Sequence, residues 1–354
     1  MAIVSSFGPK VDAAAIVQCF VPEGLFTVYL TMAYRLQTHG ILKWNTDERL
    51  VMGLEGRELA VFLTVLPFVE YDYRLAYLVA QECETGSDAL RQTKIQLVAV
   101  INSGGINIFD FEDESLGDDT PSPLHHAVNG CTGYSKPLSD QGNMWLALGL
   151  WNQLGRSTCS FTQVNMFSKT PLPGVSGLSA SANMALCLKA DRTWADISSA
   201  LATCGVETVR KGFTEESELS ADECNEIQKH LFKAYVSQLC SCVKQNNTIE
   251  LLDISSKRTI NGFLRWSEYA ISFDNIPEDN PAFGVYHSLV RDKTEVNFRD
   301  WTMIPGRIVA TWANEFRDRV GQPGLGIESM LRTDGSPRQN YDGIKGEAWE
   351  APDW

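Results

Sequence analysis

Ser220-Ala-Asp-Glu-Cys-Asn-Glu-Ile-Gln-Lys-His-Leu-Phe-Lys-Ala-Tyr-Val-Ser-Gln-Leu239 is the stretch whose reading sets the fold class. Ser220 and Glu223 have the spacing of a capping box, in which each side chain satisfies a backbone N–H at a helix start. Cys224, Ile227, Leu231, Tyr235 and Leu239 then recur at three- and four-residue steps, the period of a helix with one apolar face.

The same period extends in both directions. Toward the N-terminus it predicts helices over 23–36, stopped by Gly40, and over 57–66 and 71–83, separated by Pro67. Asn45 or Thr46 is read as the cap of another helix, with Asp47 and Glu48 in its first turn. Helices are also expected at 143–154, 178–190 and 193–204, the last capped by Asp191 and ended by Gly205. Toward the C-terminus, helices are expected near 260–271, 282–292 and 305–320. In the last, Ile308, Trp312, Phe316 and Val320 line one face behind Pro305.

Two segments read otherwise. Lys94-Ile-Gln-Leu-Val-Ala-Val-Ile101 is β-branched and short, and Ser103-Gly104-Gly105 leads from it into Ile106–Phe111, so a β-hairpin is expected near 94–111. Thr248–Ile254 reads as a short strand. The fold class expected is therefore mainly α-helical with a minor β-hairpin, in a two-lobed body. One lobe covers 1–205, a second, Arg-enriched lobe covers 206–332, and an extended C-terminal arm covers 333–354. The hinge is placed at Gly205 to Ser217.

That arm, TDGSPRQNYDGIKGEAWEAPDW, has turn residues and isolated apolar ones but no core of its own. Tyr341, Ile344, Trp349 and Trp354 are its candidate anchors, each able to fill a pocket on a neighbouring copy of the chain.

Composition narrows the partners. The chain has 354 residues, 44% of them hydrophobic, and 30 Lys+Arg oppose 44 Asp+Glu for a net charge of −14. An acidic chain does not hold phosphate over its whole surface. Nine cysteines, scattered through apolar segments, read as reduced buried thiols. No signal peptide or membrane-length apolar run is read, so a soluble chain with no membrane partner is expected.

Patterns that would carry chemistry fail one by one. The acidic run Asp110–Glu114 with Asp118 and Asp119 lacks the EF-hand glycine, Ser115 standing in its place, and is read as a solvated loop. His125-His126, near Cys131, has no CxxC or HExxH companion and is read as a loop pair. Cys240 and Cys242 are read as packing residues at a helix end. Pro173–Gly177 and Ser181–Asn183 lack the partners of nucleophile motifs, and Gly321–Gly326 follows a helix rather than a strand. No catalytic residue, cofactor or metal is expected.

One asymmetry remains. Eight Arg and ten Lys precede residue 257, whereas nine Arg and three Lys follow from there. Arginine suits bidentate phosphate and carboxylate contacts and interface hot spots. Arg258, Arg265, Arg307, Arg317 and Arg319 are the candidate contacts to RNA or to a neighbouring subunit.

These features point to a self-assembling structural protein that is not an enzyme. Its expected form is a viral coat or capsid subunit, a large homo-oligomer enclosing an RNA genome in a virion. Two alternatives stand beside it: a nucleoprotein gripping single-stranded RNA in an inter-lobe groove, and a cytoplasmic enzyme with a site near His125 and His126.

Overall fold

The computed structural model describes residues 26–44, 50–111, 123–158, 169–171, 180–208, 213, 217–245, 248–256, 258–263, 282–292 and 295–320. In chain order its elements are α1 (Phe26–Thr38), β1 (Leu42–Trp44), β2 (Leu50–Met52), α2 (Gly56–Val65), α3 (Tyr73–Ala80), α4 (Asp88–Asn102), β3 (Phe109–Phe111), α5 (Pro123–Gly130), α6 (Asn143–Thr158), β4 (Lys169–Pro171), β5 (Ala180–Asn183), α7 (Met184–Thr203), α8 (Ala221–Tyr235), β6 (Leu239–Gln245), β7 (Thr248–Asp253), β8 (Arg258–Ile260), β9 (Gly262–Phe263), β10 (Ala282–Asp292), β11 (Glu295–Ile304) and α9 (Gly306–Val320).

The fold is mixed α/β, which corrects the mainly helical expectation. One sheet has the order β8-β7-β6-β10-β11-β9, with five strands antiparallel and the two-residue β9 parallel to β11. Two smaller sheets are β1-β2 and β3-β5-β4. The misreading has a physical source. Phe283, Tyr286 and Val290 stand at helix-like steps, yet β10 is an eleven-residue strand because β11 offers it a nearly full-length partner. Gly284 is needed there for space. A Cβ would lie 2.3 Å from Cε2 of the buried Trp301 on the neighbouring strand. Trp301 in turn donates its Nε1–H to Cys240 Sγ at 2.7 Å.

The expected hairpin near 94–111 is not formed. Residues 88–102 are the helix α4, capped by Ser87, whose Oγ accepts the Leu90 N–H. A continuous apolar run fits a buried helix as well as a buried strand, and α4 is buried from Gln92 to Ile101, packed against α3, α6 and α7. Only Phe109–Phe111 is a strand, and it pairs with β5 rather than with its upstream neighbour.

Smaller corrections follow. Of the helix expected to start at Asn45 or Thr46, residues 45–49 lie outside the described residues and Leu50–Met52 form the strand β2. The helices expected at 178–190 and 193–204 are one helix, α7, capped by Asn183 rather than Asp191. Cys240 and Cys242 lie on β6, not at a helix end, and His125 and His126 lie on α5, not in a loop. Of the helix expected near 260–271, residues 260 and 262–263 are in strands. The capping box at Ser220, the strand from Thr248 and the helices over α1, α2, α3, α6 and α9 form as read. The expected arm 333–354 lies outside the described residues.

The main core runs from Leu36 through α2, α3, α4, α6 and α7 to Trp312 and Ala313. α6 is its axis, buried from Asn143 to Gly155 on every face. Trp151 meets Trp194 and Phe213 edge-on, at centroid distances of 5.8 and 4.9 Å. A second cluster of Cys240, Cys242, Leu251, Ile260, Tyr286, Phe298 and Trp301 fills the large sheet.

Candidate metal centre

The chemistry-bearing cluster that the fold assembles lies where the turn after α3 meets α8. The capping box positions it. Glu223 Oε2 accepts from the backbone N–H of Ser220 at 2.9 Å, and Glu223 Oε1 accepts from Ser87 Oγ across the gap. One carboxylate thus starts α8 and ties it to the start of α4. Three and seven residues further on, Glu226 and His230 fall on the same helix face.

Glu82 completes the cluster from the turn. Its backbone is left-handed, with φ +48°, a conformation that side chains other than Gly and Asn seldom adopt. Its N–H is held by Glu58 Oε1 at 2.9 Å. Gln81 beside it donates Nε2–H to the His230 carbonyl at 2.9 Å. His230 Nε2 then lies 3.0 Å from Glu226 Oε1 and 3.4 Å from Glu82 Oε2. The three donor atoms lie within 4.8 Å of one another.

His230 is wholly buried, whereas the Glu82 and Glu226 side chains stay 43% and 29% exposed, so the cluster opens to water on one side. Despite the short distances, neither ring nitrogen of His230 has a hydrogen-bond partner. Burial, reinforced by Lys94, Lys233 and Lys229, pushes the His230 pKa down to about 2, so the ring is neutral. Lys94 lies beneath, fully buried, with Nζ donating to the Gln81 carbonyl. Burial brings its pKa down to about 8. A neutral imidazole carries its N–H on one ring nitrogen and offers a lone pair on the other, so with Nδ1 protonated Nε2 joins the two carboxylates as an electron-pair donor.

Several other buried polar groups are engaged in bracing. Arg74 Nε donates to Asp72 Oδ1 at 2.9 Å and NH1 to the His287 carbonyl at 2.7 Å, with its guanidinium 5.1 Å over the Tyr235 ring. Tyr235 Oη and His287 Nδ1 are 3.0 Å apart. His39 Nδ1 donates to the Lys233 carbonyl at 2.9 Å, which leaves Nε2 to accept from Ser237 Oγ. These bonds join α1, α3, α8 and β10. Asp300 is fully buried at φ +53°, and its Oδ1 accepts the Ile106 N–H at 3.0 Å. Burial drives the thiols of Cys131, Cys187 and Cys242 up to about 12, which makes them inert packing groups as the sequence suggested.

The residues singled out from sequence are not brought to this cluster. Arg258 is exposed on the edge strand β8, and Arg307 is exposed in the first turn of α9, donating to Asn225 Oδ1 at 2.9 Å. Arg317 and Arg319 lie on α9 with side chains outside the described part. Arg265, Tyr341, Ile344, Trp349, Trp354 and the acidic residues 112–119 lie outside the described residues. So do the side chains of His125 and His126.

Glu226 and His230 had a sequence signal, the four-residue spacing on a helix. Glu82 had none, because only the fold brings a turn 144 positions away to that face. No protein-family model matches the chain, and no curated protein matches its sequence.

Proposed function

We propose that the chain is a self-assembling structural subunit, a viral coat or capsid protein whose shell encloses RNA. The observation that carries this reading is a two-stranded ribbon at the end of the large sheet. β10 and β11 stay paired out to Asp292 and Glu295. β6 accompanies β10 only from Ala282 to Val285, and β9 accompanies β11 only at Asn297 and Phe298. Beyond those points, among the described residues, the outer edge of β10 has no strand beside it. Leu289 on that stretch is 41% exposed.

The His287 carbonyl on this stretch is taken by Arg74 and Gln238. Beyond it, a ribbon edge with no strand beside it is a template for pairing with another chain, and an apolar side chain on it adds burial to the hydrogen bonds. Tyr71, Phe68, Tyr34 and Met32 are further large apolar side chains at the surface, and each contributes where a neighbour covers it. The net charge of −14 suits a shell that encloses its nucleic acid with help from other cations rather than by gripping it.

Light scattering on the purified full-length chain tests this. The expected result is a particle of many copies that co-purifies with RNA. Leu289→Lys, at an exposed position, is expected to shift the chain to small species with an unchanged circular dichroism spectrum. A wild-type chain that stays monomeric at every concentration tested would overturn the reading.

A further inference from the structure

We infer that Glu82, Glu226 and His230 bind one divalent transition-metal cation, zinc being the best fit, with water completing its coordination. The inference is independent of the assembly reading and stands on geometry. Zinc holds nitrogen and oxygen ligands at about 2.0–2.2 Å, so tetrahedral neighbours sit roughly 3.3–3.5 Å apart. Of the two contacts made by His230 Nε2, the one at 3.4 Å has that spacing and the one at 3.0 Å is a few tenths of an ångström shorter.

Glu226 Oε1 accepts from Lys229 Nζ at 3.2 Å, but no hydrogen bond joins either carboxylate to His230. Both ring nitrogens of His230 are buried and unpartnered although two carboxylates lie within reach. A buried imidazole with no partner is costly, and a cation between Nε2 and the two oxygens removes that cost at Nε2. The partly exposed glutamates leave a path for the ion to enter and a face for water.

Charge is near balance around the cluster, since the ammonium groups of Lys94, Lys229 and Lys233 face the carboxylates of Glu82, Glu226 and Glu58. The donor set, not an excess of negative charge, carries the assignment. The donor chemistry selects among ions. Calcium and magnesium prefer all-oxygen shells, whereas an imidazole beside carboxylates suits zinc and its neighbours. The ion would pin the α3–α4 turn to the middle of α8, beyond the tie that Ser87 and Glu223 already make.

The test uses the full-length chain and a Glu82→Gln, Glu226→Gln double variant, whose amides keep the side-chain shapes. Both are stripped with chelator, dialysed against zinc and assayed for metal per chain, which subtracts any zinc held by the cysteines. Wild type is expected to retain one equivalent more than the double variant, and zinc is expected to raise the wild-type Tm only. Equal zinc content with equal Tm response in the two proteins would overturn the site. If the double variant does not fold, Glu82→Gln alone, at a half-exposed turn position, is expected to weaken zinc affinity at least tenfold. Unchanged affinity there overturns the site equally. An equal rise in wild-type Tm with magnesium would overturn the assignment to a transition metal.

Discussion

His39 shows how much a single buried ring can govern. Burial, opposed by its bond to the Lys233 carbonyl, brings its pKa down to about 4, and burial with Arg74 nearby brings His287 to about 3. Both are neutral when folded, whereas in the unfolded chain each takes a proton near about pH 6.5. The unfolded state then binds more protons, so stability is intact above about pH 6.5 and is lost as pH falls toward the folded values. Each histidine contributes a slope of about 1.4 kcal/mol per pH unit in that window. Urea unfolding at a series of pH values is expected to show the decline. His39→Asn keeps a donor for the Lys233 carbonyl and removes the titration, and is expected to flatten the slope by about 1 kcal/mol per unit. Gly105 is a second sensitive position. Its φ of +58° is left-handed, and a Cβ would stand 2.4 Å from Asp300 Oδ2. Gly105→Ala is expected to cost about 2–4 kcal/mol in chemical denaturation, combining backbone strain with a clash against a buried carboxylate.

At the scale of elements, α8 depends on its start. The Ser220 hydroxyl accepts the Glu223 N–H, and Glu223 returns a bond to the Ser220 N–H. Ser220→Ala is expected to cost about 1 kcal/mol, as for other N-caps. Glu223 also accepts from Ser87, which caps α4, so the starts of the two helices share one side chain. A Ser87→Ala, Glu223→Gln double-mutant cycle is expected to show coupling of about 0.5 kcal/mol or more, read from the same unfolding curves. The elements legible in the sequence were those with such local start signals. α8 had its capping box, and α9 its Pro305 and four-residue stripe. α4 and β10 lacked a deciding period. A run buried on all sides has no polar face to mark its repeat, and Phe283, Tyr286 and Val290 fit either repeat until β11 is beside them.

Most of the described elements are joined by one core. One apolar cluster links Phe62 of α2, Trp151 of α6, Ile227 and Phe232 of α8, and Trp312 of α9. Phe232 and Trp312 meet edge-on at 5.6 Å, and β11 reaches the start of α6 through a 2.7 Å bond from the Met303 N–H to the Gln141 carbonyl. Elements distant in sequence therefore stabilise one another. Calorimetry on the full-length chain is expected to show one cooperative transition, with calorimetric and van't Hoff enthalpies equal within error. Two resolved transitions would contradict this linkage.

Features that depend on neighbours a few positions apart are legible in the linear chain. It placed the capping box, the helix stop at Gly205, the amphipathic stripe of α9 and a set of thiols that packing makes inert. The candidate cation site was half legible for the same reason, since Glu226 and His230 share a helix face. Features that depend on distant partners come from the assembled fold. It made α4 a helix by burying it on all sides, and β10 a strand by laying β11 along it. It also brought Glu82 to His230 through a left-handed turn. Short-range spacing encodes periodicity and capping. Strand pairing, burial on every face and the meeting of charges across the fold are set by contacts between segments that the linear order keeps apart.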